Sequence, residues 1–373
     1  MKLPFLAALL LAVTAAFAQQ PPDEVWTQFT KGRQGKARHG YQDADGHIRV
    51  PAKFGGFTRA QNFRHIIAVS EATIRTSYYL LKNGRQVGRD SVYMFDFTFD
   101  CESEGKIRFK SQKHNRVGFF DSQGRVVIPA IYNAATPFHN GLAFGLIGAR
   151  AECMSGEADT MRCEHPGWVG GRTVLLNERN EIVVDSLPGH KWAGLNPYSL
   201  QVNTPTPDTA TSLTFRAVNG DRYSFVDYEK EFTQWLYTVF VPAVRTGEAN
   251  KVAPLCFTEL AASARPFNGW PHFERAEFVN KFYEPVLRPK LGALHRGAKN
   301  VVVFPESLNS LIFTSPDFQP FRTDCSEHFQ EKYPAFVVVV TYQPSPGKPE
   351  DDYQNHFGFI RTENGYRLFQ VSL

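Results

Sequence analysis

The feature that most constrains this chain is a glycine turn that returns with the same neighbours. GYQDADGHIRVPAKF, from Gly40 to Phe54, aligns with GFFDSQGRVVIPAIY, from Gly118 to Tyr132. Both run from a glycine to an aspartate, two small or polar residues, a second glycine, alternating apolar residues, a proline and an aromatic. Beyond a three-residue insertion in the first copy, AQNFRHIIAV (Ala60 to Val69) aligns with ATPFHNGLAF (Ala135 to Phe144). Two blocks matched in the same order make a repeat.

Weaker copies are YYLLKNGRQVG, centred on Gly84, and VLLNERNEIVV, where Asn180 replaces the glycine. Asparagine is tolerated because it also enters the left-handed backbone region. The markers Gly46, Gly84, Gly124 and Asn180 are 38, 40 and 56 residues apart. Removing a cysteine-bracketed loop of about 16 residues from the last interval restores a period near 40. About four units therefore fit before residue 200.

Asp43 and Asp121 open their turns, where a carboxylate accepts from backbone N–H groups two residues on, and Gly46 and Gly124 supply the positive φ that closes a tight hairpin. They read as turn residues, since a catalytic or metal site has no need to be copied at each repeat.

The pattern resembles the WG repeat, also called the KWG repeat, of bacterial proteins. Gly118 to Ala143 fits nearly every marked position, Gly141-Leu142-Ala143 included, whereas the first copy departs at Gln42 and Ile66. The resemblance implies an all-β array of hairpins used mainly for interaction, and it brings no family-wide catalytic residues.

YMFDFTFDCESEGKIRFK alternates strictly. Folded at Cys101 to Gly105, it would pair Asp100 with Lys106, Thr98 with Arg108 and Asp96 with Lys110. Its acids Asp96, Asp100, Glu102 and Glu104 lack calcium-loop spacing, so no metal is expected.

QVNTPTPDTATS, residues 201–212, is rich in Thr and Pro and reads as a linker. Beyond it, a hairpin turns at Asn219-Gly220, and Asp227 caps a helix with Phe232, Trp235, Leu236, Val239 and Phe240 at helical spacing. Further helices are expected around Lys251 to Ser263 and from Pro271 to about Tyr283. Strands follow near Leu311, over Ala335 to Tyr342, and in a closing pair turned at Asn364-Gly365. Helices first and an antiparallel sheet afterwards imply an α+β domain over 213–373. That order is similar to the cystatin-like cones typified by nuclear transport factor, ketosteroid isomerase and scytalone dehydratase. The resemblance implies small-molecule binding, dimerisation or catalysis in a pocket between helix and sheet. The fold class is thus multidomain: an all-β repeat domain over 19–200 followed by an α+β domain.

MKLPFLAALLLAVTAAFA reads as a secretory signal peptide over 1–18, with cleavage expected after Ala18 and export to the periplasm or beyond. Its removal takes away one lysine and no acid, lowering the net charge from +4 to about +3. Arg and Lys are scattered, which points away from nucleic acid, and no later run is long enough for a transmembrane anchor. Of the five cysteines, Cys153 and Cys163 bracket a polar loop and are expected to pair. Cys256 with Cys325 is the next pairing, leaving Cys101 unpaired.

The chain lacks H-E-x-x-H, G-x-S-x-G, a phosphate loop and C-x-x-C. No catalytic residues and no cofactor are expected. The leading reading is an exported, non-enzymatic interaction or scaffold protein binding a protein partner through its repeats. One alternative is a small-molecule-binding or hydrolytic C-terminal domain using His272 and Glu277. Another is binding of cell-wall polysaccharide through stacked rings, with Trp168, Trp192 and Trp270 as contacts.

Overall fold

The computed structural model describes residues 24–33, 36–71, 73–74, 76–95, 97–153, 163, 166–188, 195–205, 207–263, 269–306, 309, 312–325, 331–342 and 353–373. The signal segment and Trp192 lie outside them. The architecture is mostly β, in several sheets with a few short helices.

Among the described residues the same turn geometry occurs five times. The N–H of Gly46 donates to Asp43 O, and Asp43 N donates back to His47 O. The same pair of bonds closes Leu81–Arg85, Asp121–Arg125, Asn177–Glu181 and Ala217–Asp221. In three of these turns the first residue's side chain reinforces the closure. One oxygen of Asp43 accepts from the N–H groups of Asp45 and His47, one of Asp121 from Gln123 and Arg125, and that of Asn177 from Arg179 and Glu181.

Behind three of the turns the strands bulge at equivalent places. Arg38–Gln42 pairs with Ile48–Phe54, and Arg116–Asp121 with Val126–Tyr132. Two residues of the first strand, His39 to Tyr41 or Val117 to Phe119, stand opposite a longer stretch of the second, so the ladder slips. Arg172–Asn177 with Ile182–Leu187 slips likewise. Pro51 and Pro129 fall inside the slipped stretches, where a missing N–H costs no ladder bond. The backbones approach so closely that a Cβ on Gly118 would lie 2.5 Å from Ile128 O, and one on Gly40 2.6 Å from Val50 O. This explains the leading glycine of the two best copies.

The fifth turn, Ala217–Asp221, is the hairpin expected at Asn219-Gly220, but its likeness to the repeat turns was unforeseen. Gly220 lies 40 residues beyond Asn180, and strands Ser212–Arg216 and Arg222–Val226 form the hairpin around it. Part of the expected linker joins the same sheet, with Gln201 opposite Ser224 and Val202 opposite Tyr223. Phe225 and Ala217 pack on Leu142, Phe144 and Leu175, so this hairpin belongs by packing to the β half and not to the C-terminal half. The expected hairpin folded at Cys101 to Gly105 does not form either. Met94–Phe95 pairs with Thr98–Phe99, and Lys106–Ser111 pairs onward with Arg116–Asp121. Asp100 consequently meets Arg108 instead of Lys106.

The C-terminal half holds a six-stranded sheet in the order His272–Glu274, Cys256–Ser263, Gly365–Ser372, Tyr353–Thr362, Ala335–Tyr342, Val301–Glu306. It is antiparallel except between Cys256–Ser263 and Gly365–Ser372. The expected helix at 251–263 is mostly this strand: Leu260, Ala261 and Ala262 are all buried because both sheet faces are covered, which erases the alternation that marks a half-buried strand. Of the strand expected near Leu311, Leu311 itself lies outside the described residues and Ile312 to Ser315 form no strand; a 3-10 helix follows at Pro316–Phe321, and the edge strand Val301–Glu306 was missed. One face of the sheet packs on the helices begun by Tyr228–Trp235, whose cap is Asp227, and by Arg275–Phe282. The other face packs Phe257, Phe313, Phe318 and Phe369. Among the described residues, no helix is long and apolar enough to cross a membrane.

The disulfides are Cys153–Cys163 and Cys101–Cys325, whose Cα atoms lie 6.0 Å apart across 224 residues. The expected Cys256–Cys325 bond is not made. Cys256 begins an inner strand and is sealed in the helix-facing core, while the loop bearing Cys325 faces the β half. Burial pushes the Cys256 thiol up to about 12.

Candidate functional site

A cleft of about 1010 Å³ opens between the two halves. One wall comes from the first hairpin region, with Gln28, Arg59 and Arg64. The opposite wall is the C-terminal stretch around Arg322 to Cys325, with Glu331.

Its floor is the segment Asp100 to Glu104, in which each residue grips a different part of the molecule. Asp100 holds Arg108 through two side-chain bonds of 2.8 and 2.7 Å, and the Arg108 guanidinium lies 4.1 Å from the centre of the Tyr93 ring. Burial works against the Arg108 charge, but the Asp100 carboxylate more than offsets it and leaves the guanidinium above its ordinary pKa. Cys101 carries the disulfide to Cys325. Glu102 accepts from the N–H groups of His65 and Ile66 and contacts the His65 ring at 2.6 Å. The Ser103 hydroxyl donates to Phe138 O. Glu104 accepts from the N–H groups of Asn140 and Gly141 and from the Tyr198 hydroxyl.

His65-Ile66 and Asn140-Gly141 occupy matching places in the two best copies of the repeat. Two acids, two residues apart, thus bind equivalent turns of different copies. In the first copy, Glu102 supplies acceptors where Ile66 replaces the glycine.

On the far wall, Asp324 accepts from Asn62 and Arg64 side chains, and its carbonyl accepts from the Gln61 and Asn62 N–H groups. The bonds to Asp324 hold the Arg64 guanidinium above its ordinary pKa. His139 sits 3.3 Å from Glu331 and 5.9 Å from the centre of the Tyr198 ring. Burial, with Glu104 and Glu331 nearby, pushes the Tyr198 hydroxyl up to about 12, so it stays a neutral donor at physiological pH.

The acids of the floor are committed to N–H, hydroxyl or guanidinium partners. What results is a surface of fixed hydrogen-bonding groups with an apolar rim. At that rim the tight hairpin at 94–99 leaves Phe95 and Phe97 at 72% and 77% exposure. Elsewhere the aromatic content fills cores: Tyr41, Tyr78, Tyr79, Tyr132, Phe119 and Phe138 are fully buried.

The residues singled out from sequence lie apart from this cleft. Trp168 is half-buried on strand Pro166–Val169, with the Arg116 guanidinium 5.8 Å from its ring. Trp270 packs against the Phe257 and Phe313 cluster. His272 faces Glu259 across the sheet edge. Glu277 is on an exposed helix face, 4.0 Å from Lys281. The structure does not bring His272 and Glu277 into contact with each other. Asp43, Asp45 and His47 form a carboxylate and imidazole cluster at the first turn, but Asp43 is filled by its turn N–H groups and by Arg49 at 2.8 Å. The missed residues Asp324 and Tyr198 carry no local motif, and Glu104 stood out only within the dense run of acids around Cys101.

Residues 118–144 match the model of the WG containing repeat, so the chain carries at least that copy. No curated protein matches the chain in sequence. Among solved structures, a protein described as a calcium/calmodulin dependent protein kinase II association domain, from Xanthomonas campestris, is similar to part of it. The identity is 14% and the TM-score 0.21, over 38% of this chain and 86% of that one, a likeness too slight to decide anything about this fold.

Proposed function

We propose that this is an exported, non-enzymatic binding protein of the bacterial envelope or extracellular space, which takes a protein partner in the cleft between its halves. In this reading the five recurring hairpins are one WG-type array, the C-terminal sheet and helices form a cystatin-like cone, and the cleft is the place where both meet. The observation that carries it is the cleft itself, about 1010 Å³, lined from both halves and edged by exposed aromatics.

Two features favour a protein over a polysaccharide. Met94, Phe95 and Phe97 are exposed and have no polar edge, which suits an apolar pocket on a partner better than a sugar ring. The tryptophans suited to sugar stacking, Trp168 and Trp270, are half-buried against Arg116 and the Phe257 cluster. The two disulfides fit an oxidising compartment.

The test is in-cell crosslinking of the tagged, exported protein, with mass spectrometry of what remains after denaturing washes, for the native chain and for Phe95→Asp. The reading expects one dominant protein adduct that Phe95→Asp depletes by at least about tenfold, as loss of an apolar anchor does. An adduct profile indifferent to Phe95→Asp contradicts it.

A further inference from the structure

Cys101 and Cys325 both line the cleft, both are half-buried, and their bond joins its floor to its far wall. The other bond, Cys153–Cys163, closes a short separation of 10 residues away from the cleft. Beside the first bond, the contacts between the walls are polar and partly exposed. The Arg64 side chain bound to Asp324 is 48% exposed, and Glu331 beside His139 is 53% exposed. Ion pairs this wet contribute little on their own.

The chain leading to Cys325 is anchored just upstream. Phe313 and Phe318 are fully buried against Phe369, so Pro316–Phe321 is held by the C-terminal core without help from the disulfide. Beyond Phe321, the stretch Arg322 to Cys325 has little apolar anchorage and reaches across to the β half.

We propose that the Cys101–Cys325 disulfide is a reducible latch that sets the width of the cleft. Closed, it holds Arg322 to Cys325 against Gln61 to Arg64. A dithiol opens it by thiolate attack on one sulfur. The Cys101–Cys325 bond breaks, two electrons and two protons pass to the two cysteines, and the dithiol leaves as its own disulfide. The stretch then swings on Phe321, and both halves stay folded. The latch stands apart from the identity of any partner, because its working is read in the protein alone.

The test is hydrogen exchange by mass spectrometry on the folded protein, oxidised or treated with dithiothreitol, with alkylation to report which cysteines are free. The Gln61 and Asn62 amides, which donate to Asp324 O, are expected to exchange at least about tenfold faster once Cys101 and Cys325 are thiols. Amides of Asn140 and Gly141, held by Glu104, and of Ala335–Tyr342 should keep their rates. The Cys101→Ser/Cys325→Ser protein should match the reduced state, and Cys153→Ser/Cys163→Ser the oxidised one. Unchanged exchange at Gln61 and Asn62 after confirmed reduction overturns the latch. So does acceleration that spreads to Ala335–Tyr342, which makes the bond a structural staple, and so does a bond that resists the dithiol while Cys153–Cys163 yields.

Discussion

Gly118→Ala tests why the leading glycine is there. A methyl at Gly118 would sit 2.5 Å from Ile128 O, 2.7 Å from Ala130 N and 2.8 Å from the Phe109 ring. Two of these are backbone atoms of the bulged strand, so they move only if the ladder around Pro129 moves with them. Overpacking of this kind costs about 1–3 kcal/mol, and a displaced ladder bond adds about 1 kcal/mol. The entropy that alanine removes from the unfolded chain returns about 0.4–1 kcal/mol. The net loss should be about 1–3.6 kcal/mol. Gly46→Ala is the matched control: its φ is +81° but nothing lies within 4 Å of the added methyl. It should lose only the left-handed penalty, about 1–2 kcal/mol before the same entropic return. Urea unfolding followed by Trp26 and Trp168 fluorescence measures both. A Gly118→Ala loss no larger than that of Gly46→Ala refutes the close-approach argument.

Asp121→Ala should lose about 1–2 kcal/mol by orphaning the Gln123 and Arg125 N–H groups, whereas Asp121→Asn should nearly preserve the turn, as Asn177 does in the fourth copy. Burial raises the Asp121 pKa, but the Arg125 and Gln123 donors outweigh it and hold the carboxyl below 3.8. Its stabilisation is therefore present above that value and lost as the pH falls through the lower folded pKa, a slope that acid titration of Asp121→Asn should lack. Asp100→Asn leaves the buried Arg108 charge with a neutral partner and should cost about 3 kcal/mol by urea unfolding, toward the lower end for a broken buried pair. Burial raises the Cys256 pKa from 9.0 to about 12, so its contribution is intact below pH 9 and fades between 9 and 12. Cys256→Ala should flatten that part of the alkaline stability curve, and native Cys256 should resist alkylation at neutral pH.

The turns were legible because their chemistry is local. An aspartate or asparagine that binds two N–H groups, followed by a residue at positive φ, announces itself within five positions, and the 118–144 copy does so in full. The fifth turn was legible as a hairpin at Asn219-Gly220 but not as a further copy, because Ala217 stands where Asp43 and Asp121 have a side-chain acceptor and the Thr- and Pro-rich stretch before it resembles a linker. The strand Cys256–Ser263 looked helical for a different reason, since burial on both faces removes any period from its pattern. The cleft was the least legible part. Glu104 meets Tyr198, Asp324 meets Arg64 and Cys101 meets Cys325 across spans of 94, 260 and 224 residues, and no local spacing encodes such meetings. His272 and Glu277 looked like a site because they are close in sequence, yet one lies on a sheet edge and the other on an outward helix face.

The central claim is that the cleft is where a partner binds, and site-specific photo-crosslinking in the exporting cell tests it most directly. A photoreactive phenylalanine analogue would be placed at Phe95 on the rim, at Tyr198 in the wall, and at Phe304, which is exposed on the far edge strand. The account predicts the same single protein adduct from positions 95 and 198 and none from 304. An adduct from 304 alone, or none from 95 and 198, contradicts it.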